Sequence, residues 1–438
     1  MNDTMLEVIR FVEENDVKFI RLAFCDLFGT QKNISILPDE LPRAFESGIS
    51  FDASAVRGFL NVAASDLCVK PDPATLAILP WRPTHGRVMR LFCDVIYPDG
   101  RPFEGDGRGI LRSAVEQAET MGYRCRVGSE CEFYLFRLDD DGQPTLTPHD
   151  GAGYLDIAPL DRGENVRRDI CLTLEEMGIH PESSHHEQGP GQNEVDFRYG
   201  DALLAADDLV TFQSVVRTIA ARNGLHATFM PKPLQEASGS GLHVNLSLTR
   251  DGRNIFRTGQ EHSWQAEAFI AGVLHRAAEM TVFLNPTVNS YERLGRMEAP
   301  GYVTWSHQNR SQLVRIPAAG GEYARMELRS PDPSANPYLA FALLIRAGLE
   351  GVASHRPLPP ASDFDVFTAT AQQRAGLAAL PDSLETAIRL ARNSAFLQEM
   401  LPEATLTRYL AEKEAEAAAI AAAPERRAAQ LAHYFHRL

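Results

Sequence analysis

Between His180 and Arg198 the chain reads HPESSHHEQGPGQNEVDFR, which places Glu182, His185, His186, Glu187 and Glu194 around the run Gly189-Pro190-Gly191. Glycine and proline in that order interrupt helix and strand alike, so the stretch predicts two short strands joined by a turn. Strand alternation then decides which side chains share a face. Glu182, Ser184 and His186 fall together on the first strand, with Ser183, His185 and Glu187 opposite, so both of its faces are polar. On the second strand Glu194, Asp196 and Arg198 oppose Val195, Phe197 and Tyr199. Two glutamates beside a turn are ordinarily solvated decoration. Carboxylates crowded on one strand face, however, repel one another and are costly to desolvate unless cations or arginines neutralise them.

Similar faces recur along the chain. Tyr123 to Phe136, YRCRVGSECEFYLF, alternates as a strand with Glu130 and Glu132 two apart on one side. In Lys232 to Leu248, KPLQEASGSGLHVNLSL, a Gly-Ser loop leads into a strand with Leu242, Val244, Leu246 and Leu248 on the apolar side and His243, Asn245 and Ser247 on the other. Asn309 to Pro317 carries Arg310 and Arg315, and in Arg325 to Arg329 alternation puts Arg325, Glu327 and Arg329 on one side. Charges of alternating sign along a strand are expensive to bury unless they meet ligands or partners.

Helical spacing fills the gaps between these strands: Ile110 to Met121, Val166 to Met177, Leu203 to Ala221, Trp264 to Leu284, from Tyr338 onward, and an alanine-rich stretch from about Pro381. Before Asp106 the order differs. A helix over Met5 to Val12 precedes strands at Val17 to Cys25, Asn33 to Leu37 and Val88 to Tyr97, with Phe51 to Leu60 read as a loop. The chain of 438 residues therefore divides into a small, mostly β domain over 1–102 and a larger one over 103–438.

A formal charge of -15 argues against a general nucleic-acid surface, so any anionic substrate must be met by local arginines. The start, MNDTMLEVIRFVEENDVKF, lacks the basic end and apolar run of a signal peptide, and no apolar run is long enough to span a bilayer. Six cysteines without CxxC spacing suggest reduced thiols. The expectation is a cytoplasmic protein with neither a membrane nor a nucleic acid as partner.

Glu130, Glu132, Glu187, Glu194, His243 and Glu327 form an oxygen-rich set with one imidazole, which suits Mg²⁺ or Mn²⁺ better than zinc. Arg293, Arg310, Arg315, Arg325 and Arg329 could hold carboxylate or phosphate oxygens bidentately. No GxxxxGK[ST] loop is present, yet metal and arginines without one still fit phosphoryl transfer. The residues alone point to a metal-dependent enzyme acting on an anionic, phosphorylated substrate.

Taken together the motifs are recognisable. FDASAVRGF, SECEFYLF, HHEQGPGQNEVDF, KPLQEASGSGLHVNLSL, NPTVNSYERL, NRSQLVRIP and RMELRSPDPSANPYLAF occur in order, and the chain resembles class I glutamine synthetase over nearly its whole length. The resemblance implies an α+β fold with a small N-terminal β-grasp domain, and a C-terminal domain whose curved antiparallel sheet is flanked by helices. It also implies a double-ring dodecamer with inter-subunit active sites. ATP would phosphorylate the side chain of L-glutamate, and ammonia would displace phosphate. Glu132, Glu187 and Glu194 resemble the ligands of a first metal, and Glu130, His243 and Glu327 those of a second. Arg293, Arg329 and Gly239 resemble glutamate contacts, Arg310, Arg315 and Arg325 phosphate contacts, and Glu182, Asn245 and Ser247 the nucleotide side. Asp52 of a neighbouring subunit resembles the base that deprotonates ammonium, with Tyr154, Glu187 and Glu298 completing that pocket and Glu298 on a flap.

The chain departs from the family pattern in places. FDASA stands for the usual FDGSS, so Ala55 replaces a serine; Ser238 replaces an asparagine; and Gly295-Arg296-Met297 makes the flap one residue shorter. A γ-glutamyl ligase for an alkylamine or polyamine is therefore the alternative reading, although Asp52, Tyr154 and Glu298 favour ammonia. The complete metal set weighs against a non-catalytic assembly. No tyrosine lies between His355 and Gly376, where adenylylated relatives carry one, and Asn61 with Ala63-Ala64 replaces the arginine and acidic pair of some feedback-inhibited relatives. Neither form of control is expected.

Overall fold

The computed structural model describes residues 3–82, 85–256 and 263–438, and two sheets organise them. In the first, Val17–Cys25 lies antiparallel to Gln31–Ile36 and parallel to Arg87–Ile96. Ile20, Leu22 and Phe24 alternate into a core closed by Val8, Val12 and Phe45 from the helices Asp3–Glu14 and Leu41–Ser47. Two further strands, Ile49–Asp52 and Asp66–Pro71, extend this sheet. The expected loop at Phe51 to Leu60 therefore begins as a strand, because Phe51 and Asp52 pair with Leu67 and Asp66, a contact set by distant partners.

The second sheet has eleven strands among the described residues. At its centre the 15-residue strand Arg124–Leu138 buries Val127, Cys131 and Phe133 on one side and turns Glu130 and Glu132 to the other. From one edge its path runs Trp305–His307, Val314–Ile316, Met326–Leu328, Leu242–Arg250, Arg124–Leu138, Gln192–Phe197 and Pro181–His186. The hairpin around Gly189 to Gly191 forms as the sequence predicts. The sheet is antiparallel as expected except at one edge, where Trp305–His307 and Val314–Ile316 run parallel and make it mixed. The chain reverses after His307, where Gln308 adopts a left-handed φ of 57°, and returns to its starting end before the next strand.

Helices cover the apolar face. Gly107–Thr120, Glu164–Glu176 and Ala202–Arg222 share its core. Trp264–Leu284 and Pro337–Ala353 cross so closely that a Cβ on Gly272 would stand 2.1 Å from the Ala347 carbonyl oxygen, which only glycine avoids. Buried Arg108 joins the first sheet to the helical layer, pairing with Asp72 and Asp94 on one side and with Asp207 of Ala202–Arg222 on the other. With the apolar face closed by helices, the acidic face is left open.

Candidate active site

Strand register assembles the site. It sets Glu194 opposite Glu132, Asp196 opposite Glu130, His243 opposite Glu130, and both Asn245 and Arg315 opposite Glu327. Residues directly opposed point to the same face. A band of carboxylates, imidazole, amide and guanidinium thus crosses five strands laterally.

Above this band lies a cavity of 740 Å³. Glu130, Glu132, Glu187, Glu194 and His243 line it, as do Arg293, Arg310, Arg315, Arg325 and Arg329, and Tyr154, Gly239 and Glu298 stand at its walls. A smaller cavity of 220 Å³ adjoins it, with Glu182, Asn245 and Ser247 in its lining. Glu130, Ser183, Asp196 and Arg325 belong to both. Glu327 sits under the larger cavity, 1% exposed, accepting hydrogen bonds from Arg315 and from Arg329, the latter at 2.5 Å. Asp52 is elsewhere: exposed, it lines neither cavity, and its Oδ1 accepts from the Ser54 amide and hydroxyl at 2.9 and 2.6 Å.

Among the described residues four clusters could hold a cation: Asp150 with Asp161 and His186 behind the hairpin, Glu130 with Glu194 and Asp196, and two more on the open face. In these last two, the ligand atoms of Glu130, His243 and Glu327 lie within 4.8 Å of one another, and so do those of His185, Glu187 and Glu194. The former is the set expected for the second metal. The other brings His185, with Nε2 3.0 Å from Glu187, to two members of the set expected for the first metal, while the third, Glu132, lines the same cavity and accepts through Oε2 from Gln192 Nε2 at 2.8 Å and the Gly241 amide at 2.9 Å. His185 and Asp196 are thus site residues that the sequence reading did not assign. The signal was present in the HHE run, where alternation placed His185 beside Glu187.

Electrostatics test whether these clusters suit a metal. Burial, reinforced by the charge of Glu132, pushes the Glu194 carboxyl well above its ordinary range, and burial likewise raises Glu132. Burial alone would raise Glu130 as well, but the hydrogen bond and charge of His243 hold it low. The protein's own cations therefore leave part of the acidic set uncompensated. Oxygen donors with one or two imidazoles fit a hard divalent cation.

The arginines are held in place. Arg293, 4% exposed, donates to the carbonyls of Ser330 at 2.7 Å and Arg329 at 3.2 Å, and Arg329 Nε donates to the Arg310 carbonyl at 3.0 Å. The Gly-Ser loop needs its glycines for close approach: a Cβ on Gly241 would lie 2.7 Å from the Arg293 guanidinium and 2.9 Å from His243 Nε2. Over the mouth, Gly295 to Ala299 forms a tight turn in which Met297 and Glu298 have φ of 46° and 67°. Gln188 Nε2 donates to Glu298 at 3.1 Å, linking hairpin to turn. Behind the hairpin, fully buried His186 meets Asp150 at 2.9 Å and the Glu187 carbonyl at 2.7 Å, which fixes the backbone that carries Glu187.

Comparison with known proteins gives a consistent result. A family model described as glutamine synthetase, catalytic domain, matches residues 104–431, and one described as glutamine synthetase, beta-Grasp domain, matches residues 16–98. A glutamine synthetase of Clostridium saccharobutylicum is 47% identical over 419 residues, covering 94% of this chain and 95% of its own. One of Methanosarcina mazei is 47% identical over 419 residues, covering 94% of each. A solved structure described as apo GmaS without ligand matches with a TM-score of 0.87 at 33% identity, covering 96% of this chain and 98% of that one. A GmaS/ADP complex matches with a TM-score of 0.87 at 32% identity, covering 95% and 97%.

Proposed function

The chain belongs to the glutamine synthetase family and is an ATP-dependent ligase that makes glutamine with a divalent metal, and we propose that its two adjoining cavities divide the reaction between them. The smaller takes the nucleotide against Glu182, Asn245 and Ser247. The larger takes glutamate against Arg293, Arg329 and the Gly239 backbone, and the transferred phosphoryl group against Arg310, Arg315 and Arg325. Arg325 and Glu130 line both, where the phosphates would cross from one cavity to the other.

Glu130, His243 and Glu327 would hold one Mg²⁺ or Mn²⁺, and Glu132, Glu187 and Glu194, with His185 beside them, a second; such ions supply charge neutralisation for phosphoryl oxygens. The arginines do the same from fixed positions, because carbonyl partners have already oriented them. ATP phosphorylates the glutamate side chain to γ-glutamyl phosphate. Ammonium enters a pocket of Tyr154, Glu187 and Glu298, loses a proton to Asp52 of a neighbouring copy, and attacks the acyl carbon as ammonia; phosphate leaves with the bonding pair. The turn carrying Glu298 closes the mouth against water, protecting the acyl phosphate. In the same reading residues 1–102 and 103–438 are the two domains, the assembly is a double-ring dodecamer, and the protein works in the cytoplasm. No helix among the described residues is long and apolar enough to cross a membrane.

The lateral band of acids and arginines on one open sheet face carries this reading. Phosphate release from ATP, measured with glutamate, Mg²⁺ and in turn ammonium, methylamine, ethanolamine or putrescine, tests it. Ammonium is the expected preferred amine. A strong preference for an organic amine would instead assign Ala55 and the shortened turn to a wider amine pocket.

A further inference from the structure

Away from the catalytic cavities, a cavity of 290 Å³ lies where the first sheet meets the Ala202–Arg222 helix. Four arginines line it: Arg21 and Arg90 from the sheet, Arg217 from the helix, and Arg437. Arg21 and Arg90 are register partners on parallel strands, so both side chains leave the sheet on the same side. No aspartate or glutamate is among the described lining residues. Of the two acids whose charge reaches Arg90, Asp207 is taken by Arg108 at 3.0 Å and by the Tyr338 hydroxyl at 2.7 Å, and Asp208 is pushed up to about 7 by burial and by the charge of Asp207. The cavity is strongly positive in a chain whose formal charge is -15.

These cations are built in. Arg90 is 7% exposed, donates to Thr211 Oγ1 at 2.6 Å and lies over the Phe92 ring, yet its Nε has no partner. Arg217 lies over Phe229 with its Nε also unpartnered. Burial pushes both guanidiniums down, Arg217 to about 10. Several like charges, two of them desolvated by burial, with no side-chain carboxylate in the lining are costly to maintain unless a ligand supplies the negative charge. Hydroxyls and amides that can donate to oxygen surround them, including Thr30, Gln31, Asn33, Ser214 and Ser334.

We propose that this cavity is a second, non-catalytic site for a compact multivalent oxyanion, a phosphate monoester or a short dicarboxylate, whose carbon atoms would rest against Leu79 and Trp81. Its position couples it to the catalytic face. Gln213 donates to the Pro333 carbonyl at 2.8 Å, and Pro333, Ser334 and Ala335 line the cavity only a few residues beyond Arg329. An occupant would tie the first sheet to the segment that follows Arg329.

The test is calorimetric titration of the full-length protein with inorganic phosphate and, separately, with succinate. It compares the unaltered protein with Arg21→Gln and with Arg437→Gln, whose side chain is exposed and safe to replace. At least one probe should bind and weaken about tenfold or more in both variants, the size expected for losing one guanidinium–oxyanion contact. Turnover in the absence of probe should be unchanged. Sensitivity for phosphate alone identifies a phosphoryl ligand, and for succinate alone a dicarboxylate. Binding that is the same in both variants belongs to the catalytic arginines and overturns the proposal, as does binding of neither probe.

Discussion

Glu327 shows how much one side chain can decide. It is 1% exposed between Arg315 and Arg329 and has His243 Nδ1 at 3.9 Å, so it is both a counter-charge for two guanidiniums and a candidate metal ligand. Replacement by alanine leaves two partly or fully buried cations facing each other, a loss of roughly 3–5 kcal/mol where such pairs are broken. Glu327→Gln keeps the volume and one acceptor, so its melting temperature should fall less than that of Glu327→Ala. Both should lose at least about 100-fold in phosphate release, the upper range for disturbing a metal site. Near-normal turnover in either would remove Glu327 from the site. His185 marks the opposite case in legibility. Alternation placed it on the Glu187 face, but Glu187 lies just beyond the end of Pro181–His186, and the contact at 3.0 Å depends on how the turn closes. Period-two reasoning stops at the strand end.

Among elements, the long strands and helices were legible because each carries its own period: Val17–Cys25, Arg124–Leu138, Leu242–Arg250 and Trp264–Leu284 lie within a residue or two of the sequence reading. Short elements were not. Ile49–Asp52 has only four residues, and its partner Asp66–Pro71 supplies the reason it is extended. The turn that follows also depends on distant residues: Arg57 reaches Glu412 at 3.0 Å and Glu416 at 3.2 Å on the Glu403–Ala422 helix. Glu416, 6% exposed, meets Lys413 at 3.2 Å, His433 at 3.6 Å and the Tyr434 hydroxyl at 2.7 Å. Burial alone would raise its pKa, but Lys413 and these partners hold it well below the usual range. A depressed carboxylate contributes stability that is fully present above its unfolded value, about 4.3, and is lost as pH falls through the folded value. Glu416→Gln should therefore cost roughly 3–5 kcal/mol at pH 7, because Lys413 and Arg57 lose their counter-charge. In chemical denaturation the gap to the unaltered protein should narrow below about pH 4; a gap independent of pH would show that Glu416 acts through packing.

At the scale of the whole molecule, the anchoring of Arg57 bears on where Asp52 can act. Arg57 holds the turn after Asp52 to its own catalytic domain, and Asp52 is exposed outside both of that domain's cavities. If Asp52 serves the reaction, it serves the site of another copy, which is the arrangement proposed here. The consequence is complementation between two dead chains. Asp52→Ala and Glu327→Gln should each be inactive as pure assemblies. Refolded together in equal amounts, some sites pair an intact Glu327 with a neighbour's intact Asp52. For random mixing in a closed ring with one such neighbour per site, each condition holds in half of the positions, so about a quarter of the unaltered turnover should return. Were Asp52 to act within its own chain, every chain in the mixture would still carry one defect and no activity would return. Assembly of the mixed particles, checked by mass with differently tagged chains, separates that outcome from a failure to mix.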